Sequence, residues 1–277
     1  MSRIAQRFAD LSEAGRKALI TYVVAGDPTP ELTVPLLHAL VDAGADVIEV
    51  GVPFSDPMSE GPVIQRGHER ALENRIRLRD VLSMVSEFRE KDPDTPLLLM
   101  GYANPVEHMG YPAFADAAVK AGVDGLLTVD VPPEEVERVN RELKRVGMDN
   151  IFLIAPTTPE ARLSLITDQA SGFIYYVSLK GVTGAGNLDI ADVSDHLSRI
   201  RRCTSLPVCV GFGIKDAASA AAVARVADGV VVGSALVSRV ADVIAGGGDR
   251  SEAMSAAASL LREIRSGIDA RSGTDAA

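Results

Sequence analysis

The stretch that decides the fold runs from Ala18 to Gly51: Ala18-Leu19-Ile20-Thr21-Tyr22-Val23, a turn at Gly26-Asp27-Pro28, a helical segment Glu31–Ala43 stopped by Gly44, then Asp46-Val47-Ile48-Glu49-Val50-Gly51. Two short apolar runs flank an amphipathic helix, and both are rich in β-branched and aliphatic residues. Such runs suit strands buried on both faces, as in a parallel sheet. The same unit recurs outward from here. Further runs lie at Pro96–Met100, Gly125–Val129, Ile151–Ala155, Phe173–Ser178, Pro207–Val210 and Gly229–Val232. Helical segments between them include Pro112–Ala121, Glu134–Val146, Ala161–Gln169 and Ala217–Val226, several of them ending in glycine at Gly122 and Gly147. Eight strand–helix alternations without consecutive hairpins predict a closed single-domain (β/α)8 barrel. A doubly wound open sheet is the alternative, weakened because Gly26-Asp27-Pro28 stands where a dinucleotide fold would carry GxGxxG.

The 277 residues suffice for one such barrel, and no Pro/Ser-rich or charged linker divides them, so residues 1–277 are expected to form one domain. Ile4, Phe8 and Leu11 recur at helical spacing and predict an extra N-terminal helix over 1–14. A last helix is expected at Glu252–Ile264, and the polar tail 271–277 should be frayed. Aromatic content of 4% with no Trp, against 47% hydrophobic residues, favours small branched side chains between helices and a sheet. A net charge of −10 without a basic block argues against nucleic acid. No apolar run reaches membrane-spanning length, and the N-terminus lacks a continuous apolar core of signal type, so a cytoplasmic protein is expected. Cys203 and Cys209 lack metal spacing and read as reduced thiols, Cys209 within a core strand.

Barrels of this kind carry their chemistry at the strand C-termini and the loops after them. Glu49 stands near the end of the second strand in an otherwise apolar run. Desolvating a carboxylate there costs several kcal/mol, on the order expected for an unpaired buried charge. Its presence therefore implies either a perturbed, usable acid or a structural ion pair. The following segment, Pro53-Phe54-Ser55-Asp56-Pro57-Met58-Ser59-Glu60-Gly61-Pro62, is rich in turn formers and brings further acids to the same face. Two carboxylates on one face can move protons in two directions. Glycine-bearing segments at Gly181–Gly186, Gly211-Phe212-Gly213-Ile214 and Gly233-Ser234-Ala235 follow the last three strands, where backbone N–H groups and a helix start can hold an anion.

These motifs together resemble the tryptophan synthase alpha subunits. The resemblance rests on Glu49 to Pro57 continuing through Gly61-Pro62-Val63-Ile64-Gln65, on Tyr102-Ala103-Asn104-Pro105, on Gly181-Val182-Thr183-Gly184, and on Gly211-Phe212-Gly213-Ile214 with Gly233-Ser234-Ala235. The acidic-loop motif is the specific one, whereas the glycine motifs occur in other phosphate-binding barrels.

The resemblance implies a lyase that splits indole-3-glycerol phosphate into indole and glyceraldehyde 3-phosphate by acid/base chemistry. It implies Glu49 as the general acid/base and Glu60 as the second acid, facing the indole N–H. The family commonly has Asp there, so Glu60 is a departure that lengthens the side chain by about one C–C bond. The implied ring pocket comprises Tyr22, Ile64, Met100, Tyr102, Leu127, Val129, Leu153, Tyr175 and Phe212, with Thr183 on a closing loop. The implied phosphate site is Gly184, Gly213, Gly233 and Ser234. No cofactor is implied in this subunit, but a pyridoxal-phosphate beta subunit is, in an alpha2-beta2 assembly touching Pro53, Asp56, Pro57, Asn104 and Pro105.

Two features compete with this reading. Lys180 could support a Schiff-base aldolase, although its place beside a glycine loop favours a surface role. His38, His68, His108 and His196 are scattered without ligand spacing, so solvated or helix-face roles are expected and metal binding is not.

Overall fold

The computed structural model describes residues 2–178, 189–211 and 213–270. The first half of the chain forms β1 (Ala18–Val24), β2 (Val47–Gly51), β3 (Leu97–Gly101) and β4 (Gly125–Thr128). Helices α1 (Arg3–Glu13), α2 (Pro30–Asp42), α3 (Pro62–Glu73), α4 (Leu78–Arg89), α5 (Ala103–Met109) and α6 (Tyr111–Ala121) accompany them. The second half adds β5 (Asp149–Asn150), β6 (Phe152–Ile154), β7 (Ile174–Val177), β8 (Val208–Gly211) and β9 (Gly229–Val232). Its helices are α7 (Glu137–Val146), α8 (Glu160–Gln169), α9 (Ile190–Arg201), α10 (Ala217–Ala224), α11 (Ser234–Ala245) and α12 (Arg250–Asp269).

Every pairing is parallel, in the order β5-β4-β3-β2-β1-β9-β8-β7-β6. The ends of that series are one stretch of chain. β5 pairs with β4, β6 pairs with β7, and only Ile151 separates them. The expected fifth strand is therefore present but interrupted, and it closes the eight-stave barrel. Polar contacts flank the interruption. Asn150 N–H donates to Ser171 Oγ (2.9 Å) and its side chain donates to Asn140 Oδ1 (2.7 Å), drawing the strand toward α7 and the turn before β7.

Three strands are registered by the same device. An aspartate just before a strand accepts a hydrogen bond from the N–H of the neighbouring strand: Asp46 from Leu19, Asp124 from Leu97, Asp228 from Val208, each at 2.9 Å. Each carboxylate also meets an arginine: Arg265 (3.0 Å), Arg89 (2.8 Å) and Arg201 (3.0 Å) respectively. A charge so close to the core needs both kinds of partner. This places the ionic layer at the N-terminal end of the barrel, far from the strand C-termini that carry Glu49.

Helix α1 plugs that N-terminal end. Its Ile4, Phe8 and Leu11 pack with the interior residues Ile20, Val47, Leu98, Phe173, Cys209 and Val231. Burying those three side chains contributes about 1.5–3 kcal/mol each. Two helices differ most from expectation at their ends. The last helix reaches from Arg250 to Asp269 because Asp249 and Glu252 form a reciprocal cap before it, and Arg265 near its end is tied to Asp46. Helix α7 begins three residues late, at Glu137, after a turn led by Pro132 and Pro133. Residues 271–277, expected to be a frayed tail, lie outside the described residues.

Candidate active site

With one barrel end closed by α1, the inward-facing residues nearest the strand C-termini line the other. Glu49 lies in β2, registered beside Tyr22 of β1 and Leu98 of β3. Its side chain is fully buried, and neither carboxylate oxygen has a hydrogen-bond partner among the described residues. Among the described residues no ion pair accounts for it. Burial first, and the neighbouring Glu60 second, push the Glu49 carboxyl up to about 8. At neutral pH it is a proton donor.

Glu60 ends the loop between β2 and α3. Burial pushes it up to about 7, so it stands near half ionised at neutral pH. The loop that carries it is held at several points. Phe54 stacks on Tyr102 with ring centroids 4.9 Å apart, and the Tyr102 hydroxyl accepts from Ser59 N–H (3.2 Å). Gln65 donates to the Glu60 carbonyl (2.9 Å). Helix α3 is itself fixed by Arg70, which grips Asp27 through two bonds of 2.6 and 3.0 Å.

The expected pocket residues fall into three sets. Tyr22, Ile64 and Met100 form one apolar cluster beside Glu49. Met100, Val129, Leu153 and Tyr175 form the partly buried upper edge of the barrel interior, with Leu127 completely buried below them as floor rather than wall. A solvent-open cavity of about 560 Å³ adjoins this edge at Val129 and Leu153. Tyr102 departs from expectation: it clamps the acidic loop, since its ring and hydroxyl are both committed there. Phe212 and Thr183 lie outside the described residues.

Of the anion-binding candidates, Gly213 and Gly233 follow the adjacent strands β8 and β9, and Ser234 is the first residue of α11. Gly213 adopts φ +76°, a conformation that a side chain would strain. No side chain caps α11, nor α2, α3 or α5 to α8, whereas Asp189, Asp216 and Asp249 cap α9, α10 and α12; α11 is the uncapped helix that starts directly after β9. The start of α11 therefore directs backbone N–H groups and a positive helix end toward the site. Gly184 and Lys180 lie outside the described residues.

On the outer surface of the acidic loop, Asp56 is exposed and Pro57 half-buried, as are Asn104 and Pro105 respectively at the start of α5. Pro53, expected to face a partner, is buried within the chain because it directly follows the core residue Val52. Val106, beside the same expected surface, is also core. Two residues escaped the sequence reading. Met58 is 74% exposed at the loop tip. His68 is buried, where a solvated or helix-face role was expected, and it bonds to the loop. The signal for His68 was available, because Ile64, Gly67, His68 and Ala71 follow the i, i+3, i+4, i+7 spacing of one buried helix face. Among the described residues no cluster of side chains could hold a metal ion.

This arrangement offers one neutral carboxyl without a partner, a second carboxyl of intermediate acidity, an apolar slot and an anion cradle within one barrel mouth. Comparison with known proteins points the same way. A family profile described as "Tryptophan synthase alpha chain" matches residues 8–266. The tryptophan synthase alpha chain of Thioalkalivibrio sulfidiphilus is 60% identical over 97% of this chain and 100% of its own length. That of Thiobacillus denitrificans is 56% identical over 98% of both chains. Among solved structures, tryptophan synthase subunit alpha from Legionella pneumophila superposes with a TM-score of 0.91 at 45% identity, covering 98% of this chain and 99% of that one. A chain of tryptophan synthase from M. tuberculosis in an open form gives 0.85 at 34% identity, with 97% and 99% covered. Sequence motif, barrel and relatives agree along almost the whole length, and the chain belongs to the tryptophan synthase alpha chain family.

Proposed function

We propose that Glu49 and Glu60 divide the proton work of this lyase between them. As an alpha chain, the protein cleaves indole-3-glycerol phosphate to indole and glyceraldehyde 3-phosphate in tryptophan biosynthesis. The observation that carries the assignment is the fully buried Glu49, without a hydrogen-bond partner among the described residues, whose carboxyl burial pushes up to about 8. Its proton goes to indole C3, and the ring nitrogen takes up the positive charge. Ionised Glu60 accepts the N–H and stabilises that cation. The Glu49 carboxylate then removes the proton of the hydroxyl next to the scissile bond. As the aldehyde forms, the C–C bond breaks and its electrons return to the ring, leaving Glu49 protonated again. Only proton transfers and charge stabilisation are needed, so this subunit's step runs without a cofactor.

Tyr22, Ile64, Met100, Val129, Leu153 and Tyr175 hold the ring, while Gly213, Gly233 and Ser234 hold the phosphate. The family has a beta-subunit partner, for which we propose an alpha2-beta2 assembly in the cytoplasm, with pyridoxal phosphate confined to the beta subunit. No helix among the described residues is long and apolar enough to cross a membrane. The test is indole release from indole-3-glycerol phosphate by wild type and Glu49→Gln. The amide keeps the volume but cannot exchange the proton, and a loss of about 10²–10⁴-fold is expected. Near-normal turnover by the variant would remove Glu49 from the mechanism.

A further inference from the structure

His68 projects from α3 into the gap between the acidic loop and β1. It makes two contacts there: Phe54 N–H to Nδ1 (3.1 Å), and Nε2 to the Tyr22 hydroxyl (3.3 Å). A backbone N–H can only donate, so Nδ1 is the bare nitrogen and the proton of the neutral ring sits on Nε2. Nε2–H therefore donates to the Tyr22 oxygen. That oxygen is thereby engaged as an acceptor, and the tyrosine's own proton is free to point elsewhere. The hydroxyl lies across Gly51, where any Cβ would collide with it, so glycine at the end of β2 is what allows the ring this position. Tyr22 is registered beside Glu49, and the acids that act on its hydroxyl are Glu60 and Glu49, with Tyr102 and Tyr175 the other titratable groups facing it.

We propose that His68 is a positioning residue that ties the base of the acidic loop to Tyr22 and turns the Tyr22 hydroxyl proton toward the Glu49–Glu60 pair. The Tyr22 hydroxyl is then set to donate to Glu60 when that carboxylate is ionised, and keeps it in the state that accepts the indole N–H. Burial supports the required neutral ring by pushing the His68 imidazole down to about 4, so it holds one tautomer across the working range. Loop position and acid ionisation are in this way set by one imidazole.

The inference rests on the roles proposed for Glu49 and Glu60, and its test separates the two. The variants are His68→Asn, Tyr22→Phe and the double. Asparagine offers an oxygen close to the imidazole Nδ1 position, which preserves the Phe54 bond, but it is too short to reach Tyr22. Each single variant should lower kcat about tenfold, the scale of a lost hydrogen bond to a charged group, with KM little changed. Each should also move the acidic limb of the kcat/KM profile to higher pH, because a donor to a carboxylate favours its ionised form. In the Tyr22→Phe background, His68→Asn should add nothing further. A merely structural His68 would lower thermal stability without moving that limb. Multiplying effects, or singles with a wild-type kcat and limb, would overturn the proposal. So would ¹⁵N NMR of the wild-type imidazole placing the proton on Nδ1, a result independent of turnover. Absence of indole release by wild type, or full activity of Glu49→Gln, would instead strike the underlying acid assignments.

Discussion

The energetic cost of this site is concentrated in one residue. Glu49 is ionised at neutral pH in the unfolded chain, with an ordinary value near 4.5, but holds its proton up to about 8 in the fold. Below 4.5 both states are protonated and the residue is neutral to stability. Between those limits the unfolded chain releases the proton first, so stability falls as pH rises, levelling off only above the folded value. Glu49→Gln, inactive by expectation, should therefore raise thermal stability, and the gain should widen from pH 5 to pH 8 by about 3 kcal/mol, at about 1.4 kcal/mol per pH unit between the two values. Melting both proteins across that range checks it; a constant difference would mean that Glu49 finds a partner. The proposed mechanism draws on the same two acids. Glu60 must be ionised and Glu49 protonated, so kcat/KM should rise through about pH 7 and fall through about pH 8, limbs that belong to the coupled pair. At Glu60 itself the needed group is the carboxylate. Glu60→Asp should keep turnover within about tenfold of wild type, and Glu60→Ala should lose about 10²-fold or more. An active alanine variant would move the second acid elsewhere.

At the scale of elements, helix starts divide the labour. Helices α9, α10 and α12 each begin behind an aspartate that satisfies their first N–H groups, as capping rules lead one to expect. Helix α11 begins behind Gly233 with no side-chain cap, which leaves that end open to an anion from the substrate. Ser234→Asp should thus divide stability from function. A carboxylate at the first helical position favours the helix end by about 0.3–1 kcal/mol, yet it occupies and repels the phosphate position. The expected outcome is an equal or higher melting temperature with KM for indole-3-glycerol phosphate raised at least about tenfold and kcat less affected. A KM unchanged from wild type would place the phosphate at another loop.

For the molecule as a whole, the loop at the barrel mouth has two faces. Its inner side carries Glu60, and its outer side presents Asp56 and the exposed Met58 beside Asn104 and Pro105. An exposed apolar side chain at a loop tip, rimmed by polar residues, suits a protein interface. We expect docking of the beta subunit here to order the loop and position Glu60, activating indole release. By reciprocity, substrate should tighten beta binding by the same factor, about 1–3 kcal/mol. Met58→Asp, which needs no change in the core, should weaken association and activation together while leaving the isolated chain's basal rate within about twofold, since surface changes away from packing are small. Calorimetric titration with beta subunit and parallel indole assays decide it; unaltered association would remove this loop from the interface.

What the sequence determined by itself is what local pattern encodes. Short apolar runs alternating with helices and glycine stops specified the eight-stave barrel. The plug helix followed from Ile4, Phe8 and Leu11, and the carboxylate stranded in β2 from Glu49 among aliphatic neighbours. A resemblance carried by the acidic-loop motif named the chemistry. None of these needs knowledge of which distant residues meet. Three features did need it. That Glu49 has no partner among the described residues is a property of every side chain around it. That the fifth strand is broken at Ile151, next to an Asn150 held at once by Asn140 and Ser171, depends on pairings with β4 and β7. That His68 joins Phe54 to Tyr22 depends on α3 being set against β1 by the Arg70–Asp27 pair. Hydrogen bonds and desolvation act between groups adjacent in space, while periodicity reports only on groups adjacent along the chain. The barrel was accordingly legible from the residues alone, and the protonation states that make it an acid–base site arise only once it has closed.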